Sequence, residues 1–220
     1  MDKLFTGEKW IAYGDSVTFY DGQIYGDDSN EAGILCKGYQ SYMKEYLGME
    51  VENQGISGEI TQQICRRVLQ NDFKEIHGVT LFAGINNFRD YDFDKFGVVQ
   101  EIGSDFDCDT FCGSYQKMIE HIITTNAQTK IVIIVPFKCF TDANGLMPKI
   151  YRDSIVKIAK LYSLPYVDLY YLSGFNELNV ETMFVDGEGE IYKFHPSNYG
   201  YEVISSHIID VIKQTKLSYY

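Results

Sequence analysis

The fold is decided by the stretch Ile11-Ala12-Tyr13-Gly14-Asp15-Ser16-Val17, in which an apolar run breaks at a small polar loop. The run predicts a buried strand that ends at the glycine. Substrates of α/β proteins bind beyond the carboxyl ends of the strands, so the sequence places Ser16 where chemistry occurs. A serine in such a loop is an ordinary turn residue unless the chain also supplies a base and oxyanion donors.

Strand-like and helix-like segments alternate along the whole chain. Short apolar runs bounded by loop residues predict strands at Trp10–Tyr13, Met49–Glu52, Val79–Ala83, Ile131–Val135 and Tyr166–Leu169. Apolar residues at helical spacing lie in Leu35–Leu47 ahead of Gly48, Ile60–Leu69, Tyr115–Ile123, Ile150–Tyr162 behind Pro148, and Val203–Ile212. The alternation indicates parallel strands joined by right-handed crossovers, hence a three-layer α/β/α sandwich.

The length of 220 residues suits one domain over residues 1–220 with a single active site. The long irregular stretch 88–111 predicts a functional lid or an unrecognised element, because such loops are uncommon in compact domains. Its acidic residues Asp90, Asp92, Asp94 and Glu101 fall at calcium-loop positions one, three, five and twelve. Lys95 occupies the position that requires glycine, and we therefore predict no metal site.

Composition excludes several classes of partner. A net charge of −12 without a basic stripe argues against nucleic acid. The sequence has no run of about 20 apolar residues that would predict a membrane span, and its charged N-terminal residues do not resemble a signal peptide. A cytoplasmic location is therefore the default expectation, with an extracellular one as the alternative if the domain is cut from a larger protein. Five cysteines without a tight spacing pattern are typical of reduced thiols.

Four short motifs follow one another, each at the end of a predicted strand or the start of a predicted helix. They are Gly14-Asp15-Ser16, Asn53-Gln54-Gly55-Ile56-Ser57-Gly58, Gly84-Ile85-Asn86-Asn87 and His195-Pro196. Together they resemble the four blocks of the SGNH (GDSL-type) hydrolases over nearly the whole chain. The resemblance implies a flavodoxin-like sheet of five parallel strands and a serine hydrolase that needs no cofactor.

The resemblance also implies a role for each block. Ser16 would be the nucleophile and would add its own backbone N–H to the oxyanion hole, while Asp15 shapes the loop. Gly58 would supply the second oxyanion donor through its backbone N–H. The side-chain amide of Asn86 would supply the third. Asn87 stands where the family has an aspartate, and we expect its amide to shape the loop instead.

His195 is the natural general base among the four histidines. An imidazole with a pKa near 6.5 can accept a serine proton near neutral pH and return it to the leaving group. His195 precedes Pro196 in a loop ahead of the last predicted helix, as in the family's final block. The other histidines lie at a probable helix end or inside helical patterns, and we expect structural roles for His77, His121 and His207.

The third member of the triad departs from the family pattern. The family's acid precedes the histidine by three residues, but that position holds Tyr192. Asp186, Glu188 and Glu190 lie upstream, and one of them could fold back to His195 if this segment is an insertion. Asp186 is the best candidate because it keeps the following glycine. The alternative is a Ser–His dyad whose ring is oriented by a backbone carbonyl.

The leading hypothesis is an esterase that removes acyl groups, with O-acetyl groups on carbohydrates as the expected substrate. A lipase or thioesterase for longer chains is the alternative within the enzyme class, and a long apolar groove beside Ser16 would favour it. A catalytically silent glycan-binding module of the same fold is the alternative outside it. The expected partner is therefore a small-molecule or carbohydrate ester, and the oligomeric state stays open.

Overall fold

The computed structural model describes residues 3–89, 92–141, 145–187 and 192–217. Within these residues the elements are, in chain order, β1 Lys9–Gly14, α1 Ser16–Phe19, α2 Tyr39–Leu47, β2 Glu50–Gly55, α3 Thr61–Val68, β3 Gly78–Phe82, α4 Ile85–Arg89, α5 Phe111–Thr125, β4 Lys130–Val135, β5 Phe140–Thr141, β6 Gly145–Leu146, α6 Lys149–Leu161, β7 Tyr166–Asp168, α7 Leu169–Leu172, α8 Val180–Met183, β8 Tyr192–Lys193 and α9 Asn198–Leu217.

Five parallel strands form the central sheet in the order β2-β1-β3-β4-β7. Counted along these five strands, the order is 2-1-3-4-5, which is the flavodoxin-like arrangement. The predicted fold class is therefore confirmed. All residues of β3 and all but the first of β4 are buried, as expected for parallel strands covered on both faces.

Helices cover both faces of the sheet. Helices α2 and α9 pack against each other, whereas α3, α5 and α6 pack together in a second layer. The sheet and the inward faces of these helices enclose one apolar core. Within the described residues, no helix combines the length and the apolar character that a bilayer crossing requires.

The predicted boundaries were wrong at some points. The helical pattern predicted from Leu35 begins only at Tyr39, because Leu35 forms an isolated antiparallel bridge with Ile24. The helix does end at Gly48, whose φ of 80° is left-handed and suits glycine. The last predicted strand ends one residue early, since Leu169 starts α7. Sequence reasoning also missed a small antiparallel sheet, β6-β5-β8.

The segment 88–111 contains only a short 3-10 helix, Phe93–Lys95, between α4 and α5, and residues 90–91 lie outside the described residues. The segment is attached to α5 by hydrogen bonds and by ring stacking. The Gln116 side chain exchanges two hydrogen bonds with the backbone of Gln100, at 2.9 and 2.8 Å, and the Phe96 ring stacks on Phe111 at 5.3 Å. These contacts anchor the segment, and its function as a lid stays a prediction.

Candidate active site

Ser16 lies at the point where the order of the strands reverses. Strand β1 is flanked by β2 and β3, and the chain leaves it at Gly14 to enter α1 at Ser16. The side chain of Asp15 caps α1 by accepting a hydrogen bond of 3.0 Å from the backbone N–H of Val17. A Cβ on Gly14 would lie 2.0 Å from the Thr18 hydroxyl, so only glycine lets α1 pack this close to the strand end.

Three side chains form a continuous hydrogen-bonded chain. The Nε2 atom of His195 is 2.9 Å from the Ser16 hydroxyl, and its Nδ1 atom is 2.6 Å from Oδ1 of Asp186. The second carboxylate oxygen of Asp186 accepts from the backbone N–H groups of Phe194, at 2.6 Å, and of His195, at 2.8 Å. The carboxylate therefore holds both the imidazole and the backbone that carries it.

A hairpin brings Asp186 to the histidine. The backbone N–H of Val185 donates to the carbonyl of His195, and that of Ser197 donates to the carbonyl of Met183, each at 2.9 Å. These bonds align residues 183–185 with residues 195–197, on the two sides of the loop. Asp186 therefore lies beside Nδ1 of His195. For this position the sequence left two alternatives, a displaced acid or a backbone carbonyl in a Ser–His dyad.

Tyr192 and Lys193 lie between Asp186 and His195 in the chain and make contacts of their own. Tyr192, at the usual place of the acid, packs edge-on against His195 with ring centroids 6.0 Å apart. The ammonium group of Lys193 donates to the backbone carbonyls of Asp186, at 2.5 Å, and Gly187, at 2.9 Å, which ties the two sides of the loop together. The alternative acids Glu188 and Glu190 lie outside the described residues.

Gly58 lies in a turn three residues before α3 begins at Thr61. The turn is closed by a hydrogen bond of 3.3 Å from the N–H of Glu59 to the carbonyl of Ile56. Gly58 has a φ of 82°, which a type II turn demands at this position and which favours glycine. No acceptor in the described part of the chain takes its N–H or that of Ser16.

Asn86 lies in α4, immediately beyond β3, and is 2% exposed. One N–H of its side-chain amide donates to the backbone carbonyl of Glu59 at 2.9 Å. This bond joins α4 to the turn that contains Gly58. The amide carries a second N–H, which leaves one donor for a ligand.

Asn87 uses both ends of its amide to shape the same region. Its oxygen accepts from the backbone N–H of Thr61 at 2.9 Å and from the Thr61 hydroxyl at 2.7 Å, and its nitrogen donates to the Gln62 side chain at 2.8 Å. An aspartate could make the first two contacts but not the third, because a carboxylate has no donor. The amide at this position therefore fits its surroundings.

The carboxyl of Asp15 is completely enclosed. Burial raises its pKa to about 7, although the N–H of Val17 and the electrostatic influence of His195 and Arg89 act in the opposite direction. Its Oδ2 atom has no hydrogen-bond partner in the described part of the protein. Asp15 therefore shapes the loop as a buried, weakly acidic group.

The remaining histidines lie away from Ser16, and two of them form hydrogen bonds with the backbone. The ring nitrogen Nδ1 of His77 accepts a hydrogen bond of 3.1 Å from the backbone N–H of Lys9, and Nε2 of His121 lies 2.8 Å from the carbonyl of Asn71. His207 lies half-buried in α9. These positions agree with the roles expected from the sequence.

Sequence reasoning did not single out Tyr20, whose ring contacts His195 edge-on at a centroid distance of 5.1 Å. Its position four residues after Ser16 was the available signal, because one helical turn aligns such side chains. A cavity of about 70 Å³ adjoins the histidine and is polar in character. It is lined by Tyr20, Tyr25, Gly26, Asp28, Ser29, Val185, Asp186, Gly187, Tyr192 and His195.

Metal-ligating side chains are not clustered in the described part of the chain: no group of three or more histidines, cysteines, aspartates or glutamates is arranged to hold an ion. Of the calcium-loop positions, Asp90 lies outside that part. Asp92 forms an ion pair with Lys95 at 3.6 Å.

Comparison with known proteins gives one family and one fold. The sequence model of the GDSL-like lipase/acylhydrolase family matches residues 12–203. The comparison with curated proteins gives no significant match. A protein described as a possible lipase from Chitinophaga pinensis is 21% identical with a TM-score of 0.69, over 95% of this chain and 99% of that one.

Two further solved structures share the fold. A GDSL-like lipase from Bacteroides thetaiotaomicron is 16% identical with a TM-score of 0.63, over 94% of this chain and 89% of its own. An acetylxylan esterase from Geobacillus stearothermophilus is 20% identical with a TM-score of 0.61, over 96% of each chain. At these identities the structural likeness establishes the architecture alone.

Proposed function

Because the chain belongs to the GDSL-like lipase/acylhydrolase family, we propose that it is a serine esterase that hydrolyses short acyl esters through an acyl-enzyme intermediate. O-acetyl groups on carbohydrates are the substrate class we favour. The observation that carries the proposal is the unbroken hydrogen-bonded chain from Asp186 through His195 to Ser16. A nucleophile, a base and a group that orients the base are the parts that such catalysis requires.

Acylation begins when Nε2 of His195 takes the proton of the Ser16 hydroxyl as its oxygen attacks the ester carbonyl. Asp186 stabilises the imidazolium that forms and keeps the Nδ1 proton directed toward itself. The tetrahedral intermediate collapses when His195 gives the proton to the leaving alcohol. Water then attacks the acyl-enzyme with the same histidine as base, which releases the acid and restores Ser16.

The negative charge of each intermediate falls on the former carbonyl oxygen. The N–H groups of Ser16 and Gly58 and the second amide N–H of Asn86 are the donors that we assign to this oxyanion. Such preorganised donors stabilise the transition state more than the ground state, which is the condition for a faster chemical step. This chemistry requires no cofactor.

The cavity beside His195 offers polar contacts for the alcohol part of an ester, and Ser16 and the assigned oxyanion donors do not belong to its lining. Its volume of about 70 Å³ is far below the roughly 300–1,000 Å³ of pockets that enclose drug-sized ligands. The rings of Tyr20 and Tyr192 and the carboxylate of Asp28 line it. Aromatic rings with polar tips and a carboxylate acceptor suit a ligand with hydroxyl groups. The acetylxylan esterase that shares this fold motivates the choice of an acetylated sugar.

Activity-based labelling tests the nucleophile. A fluorophosphonate should modify the protein once, at Ser16, because the reagent traps an activated serine, and Ser16→Ala should abolish the modification. Mass spectrometry of the labelled peptide identifies the site. An unmodified Ser16, under conditions that label a control serine hydrolase, would contradict the esterase and favour the silent glycan-binding module.

A series of p-nitrophenyl esters and acetylated sugars tests the substrate class. We expect kcat/KM to be highest for acetyl esters and to fall with chain length, and acetate to be released from acetylated sugars. The Ser16→Ala variant measures the uncatalysed background. Rates that rise toward chains of eight or more carbons would instead support a lipase or thioesterase.

A further inference from the structure

The guanidinium of Arg67, in α3, joins three segments around the candidate site. Its Nε atom contacts both carboxylate oxygens of Glu59, at 3.2 and 2.9 Å, and its Nη2 atom lies 2.5 Å from Oε2. Its Nη1 atom donates to the backbone carbonyl of Gln54 at 2.9 Å, and Nη2 reaches the carbonyl of Gly14 at 3.5 Å. One side chain thus holds the ends of β1 and β2 and the turn beside them.

Glu59 connects this ion pair to Gly58 and Asn86, two of the assigned oxyanion donors. Its peptide group follows Gly58 directly, so fixing the Glu59 side chain limits the rotation of the Gly58 turn. Its backbone carbonyl accepts the amide of Asn86 at 2.9 Å. A displacement of Glu59 would therefore move the N–H of Gly58 and the amide of Asn86 together.

We propose that Arg67 and Glu59 are positioning residues that hold the Gly58 N–H and the Asn86 amide at the oxyanion, an inference that rests on the proposed serine-esterase function. Neither side chain needs to touch the substrate. Their effect comes through alignment, because oxyanion donors act over 2.7–3.1 Å and a misplacement of about 1 Å in a site can cost roughly a hundredfold in rate.

The chain contains a matched ion pair at the opposite edge of the sheet. Arg152 and Asp168 are joined by a hydrogen bond of 3.0 Å from Nε and by a second contact from Nη2. Their side chains are 20% and 14% exposed, against 19% and 14% for Arg67 and Glu59. Asp168 ends β7, the edge strand farthest from β2, so this pair serves as a control for the loss of an equally buried ion pair.

The test compares Arg67→Lys with Arg152→Lys, because both substitutions keep the positive charge and remove the forked donor geometry. We expect kcat on an acetyl ester to fall about tenfold or more in Arg67→Lys, with KM unchanged within twofold. Arg152→Lys should retain wild-type kcat and KM within twofold. Thermal unfolding of both variants compares their loss of stability, and Glu59→Gln is the second variant if Arg67→Lys does not fold.

A thionoester gives a readout that a structural role would not move. Sulfur accepts hydrogen bonds less well than oxygen, so aligned donors favour the oxygen ester over its thiono analogue. In Arg67→Lys the rate for the oxygen ester divided by the rate for the thionoester should fall in parallel with kcat. In Arg152→Lys the ratio should stay at the wild-type value.

Two outcomes would overturn this inference and leave the proposed function intact. In the first, the wild-type protein is labelled at Ser16, but Arg67→Lys matches Arg152→Lys in kcat and in the oxygen-to-sulfur ratio. In the second, the loss in Arg67→Lys is confined to KM. Wild-type protein that neither hydrolyses the esters nor reacts with the fluorophosphonate would overturn the proposed function, and this inference with it.

Discussion

Asp186 and His195 are nine positions apart in the chain, yet their side chains meet at 2.6 Å between Oδ1 and Nδ1. The same carboxylate receives two backbone N–H groups from the segment that carries the histidine. The contact is therefore built into the hairpin. The backbone of the hairpin, more than the rotamer of either side chain, determines that these two atoms meet.

Asp186→Asn is expected to lower kcat by up to roughly ten-thousandfold. The amide oxygen would keep the backbone contacts and its NH₂ group would face Nδ1 of His195. In that arrangement Nδ1 accepts a hydrogen bond from the amide, so the proton of the neutral ring lies on Nε2. Nε2 could then no longer accept the proton of Ser16. Kinetics on an acetyl ester measure the loss, and thermal unfolding verifies that the hairpin persists.

Asp28→Asn is the control, because Asp28 is an exposed carboxylate that lines the same cavity, whereas Asp186 is the buried carboxylate that holds the His195 ring. We expect kcat on p-nitrophenyl acetate, which carries no hydroxyl group for Asp28 to bind, to change a few fold at most. Equal losses in Asp28→Asn and Asp186→Asn would contradict a specific role for the Asp186 carboxylate and leave a Ser–His dyad.

Asn86→Ala should reduce kcat by about a hundred- to a thousandfold, or about 2.7–4 kcal/mol of transition-state stabilisation, because one oxyanion donor is lost. KM should change little, since the charge on the oxygen develops only in the transition state. Single-turnover measurement of acylation isolates the affected step. Unchanged turnover would remove Asn86 from the proposed oxyanion hole.

Asn87→Ala separates loop shaping from catalysis at the neighbouring position. It should lower the free energy of unfolding by about 0.5–2 kcal/mol, because the first N–H of α3 loses its cap from Asn87. Its effect on kcat should be far smaller than that of Asn86→Ala. Urea denaturation and ester kinetics on the same two variants check this, and a larger kinetic loss at Asn87 than at Asn86 would reverse the assignment.

The sequence predicted the centre of the sheet because β1, β3 and β4 are almost continuous apolar runs, as buried parallel strands require, whereas the edge strand β2 is largely polar. The resemblance of their motifs to the blocks of the SGNH hydrolases also implied that Ser16 and His195 lie close together. The place of Asp186 could only be stated as one of two alternatives. The strand that shapes its loop, β8, is two residues long and has no periodicity to recognise.

The pair between Arg67 and Glu59 was missed for another reason. Charged residues eight positions apart, one in a loop and one in a helix, have no sequence pattern that marks them as partners. Their contact depends on the angle at which α3 leaves the turn that contains Gly58. That angle depends on tertiary contacts. One of them is the hydrogen bond from the N–H of Thr61, the first residue of α3, to the side chain of Asn87 in α4.

The buried carboxyl of Asp15 should make stability depend on pH. Its pKa is about 7 in the folded protein and near 3.8 in an exposed chain, because burial disfavours the charged form. Between these values the native state binds more protons than the unfolded state, so the free energy of unfolding falls as pH rises. The stabilising contribution is complete below about pH 4 and is lost as pH rises through about 7.

Asp15→Asn removes this dependence, since the amide is neutral at every pH and its oxygen can still accept from the N–H of Val17. We expect the unfolding free energy of wild type minus that of Asp15→Asn to decrease by on the order of a few kcal/mol between pH 4 and 7, given about 1.4 kcal/mol for each unit of pKa. Above that range it should level off. Urea denaturation at several pH values measures the difference, and a difference that stays constant from pH 4 to 8 would show that Asp15 does not titrate there.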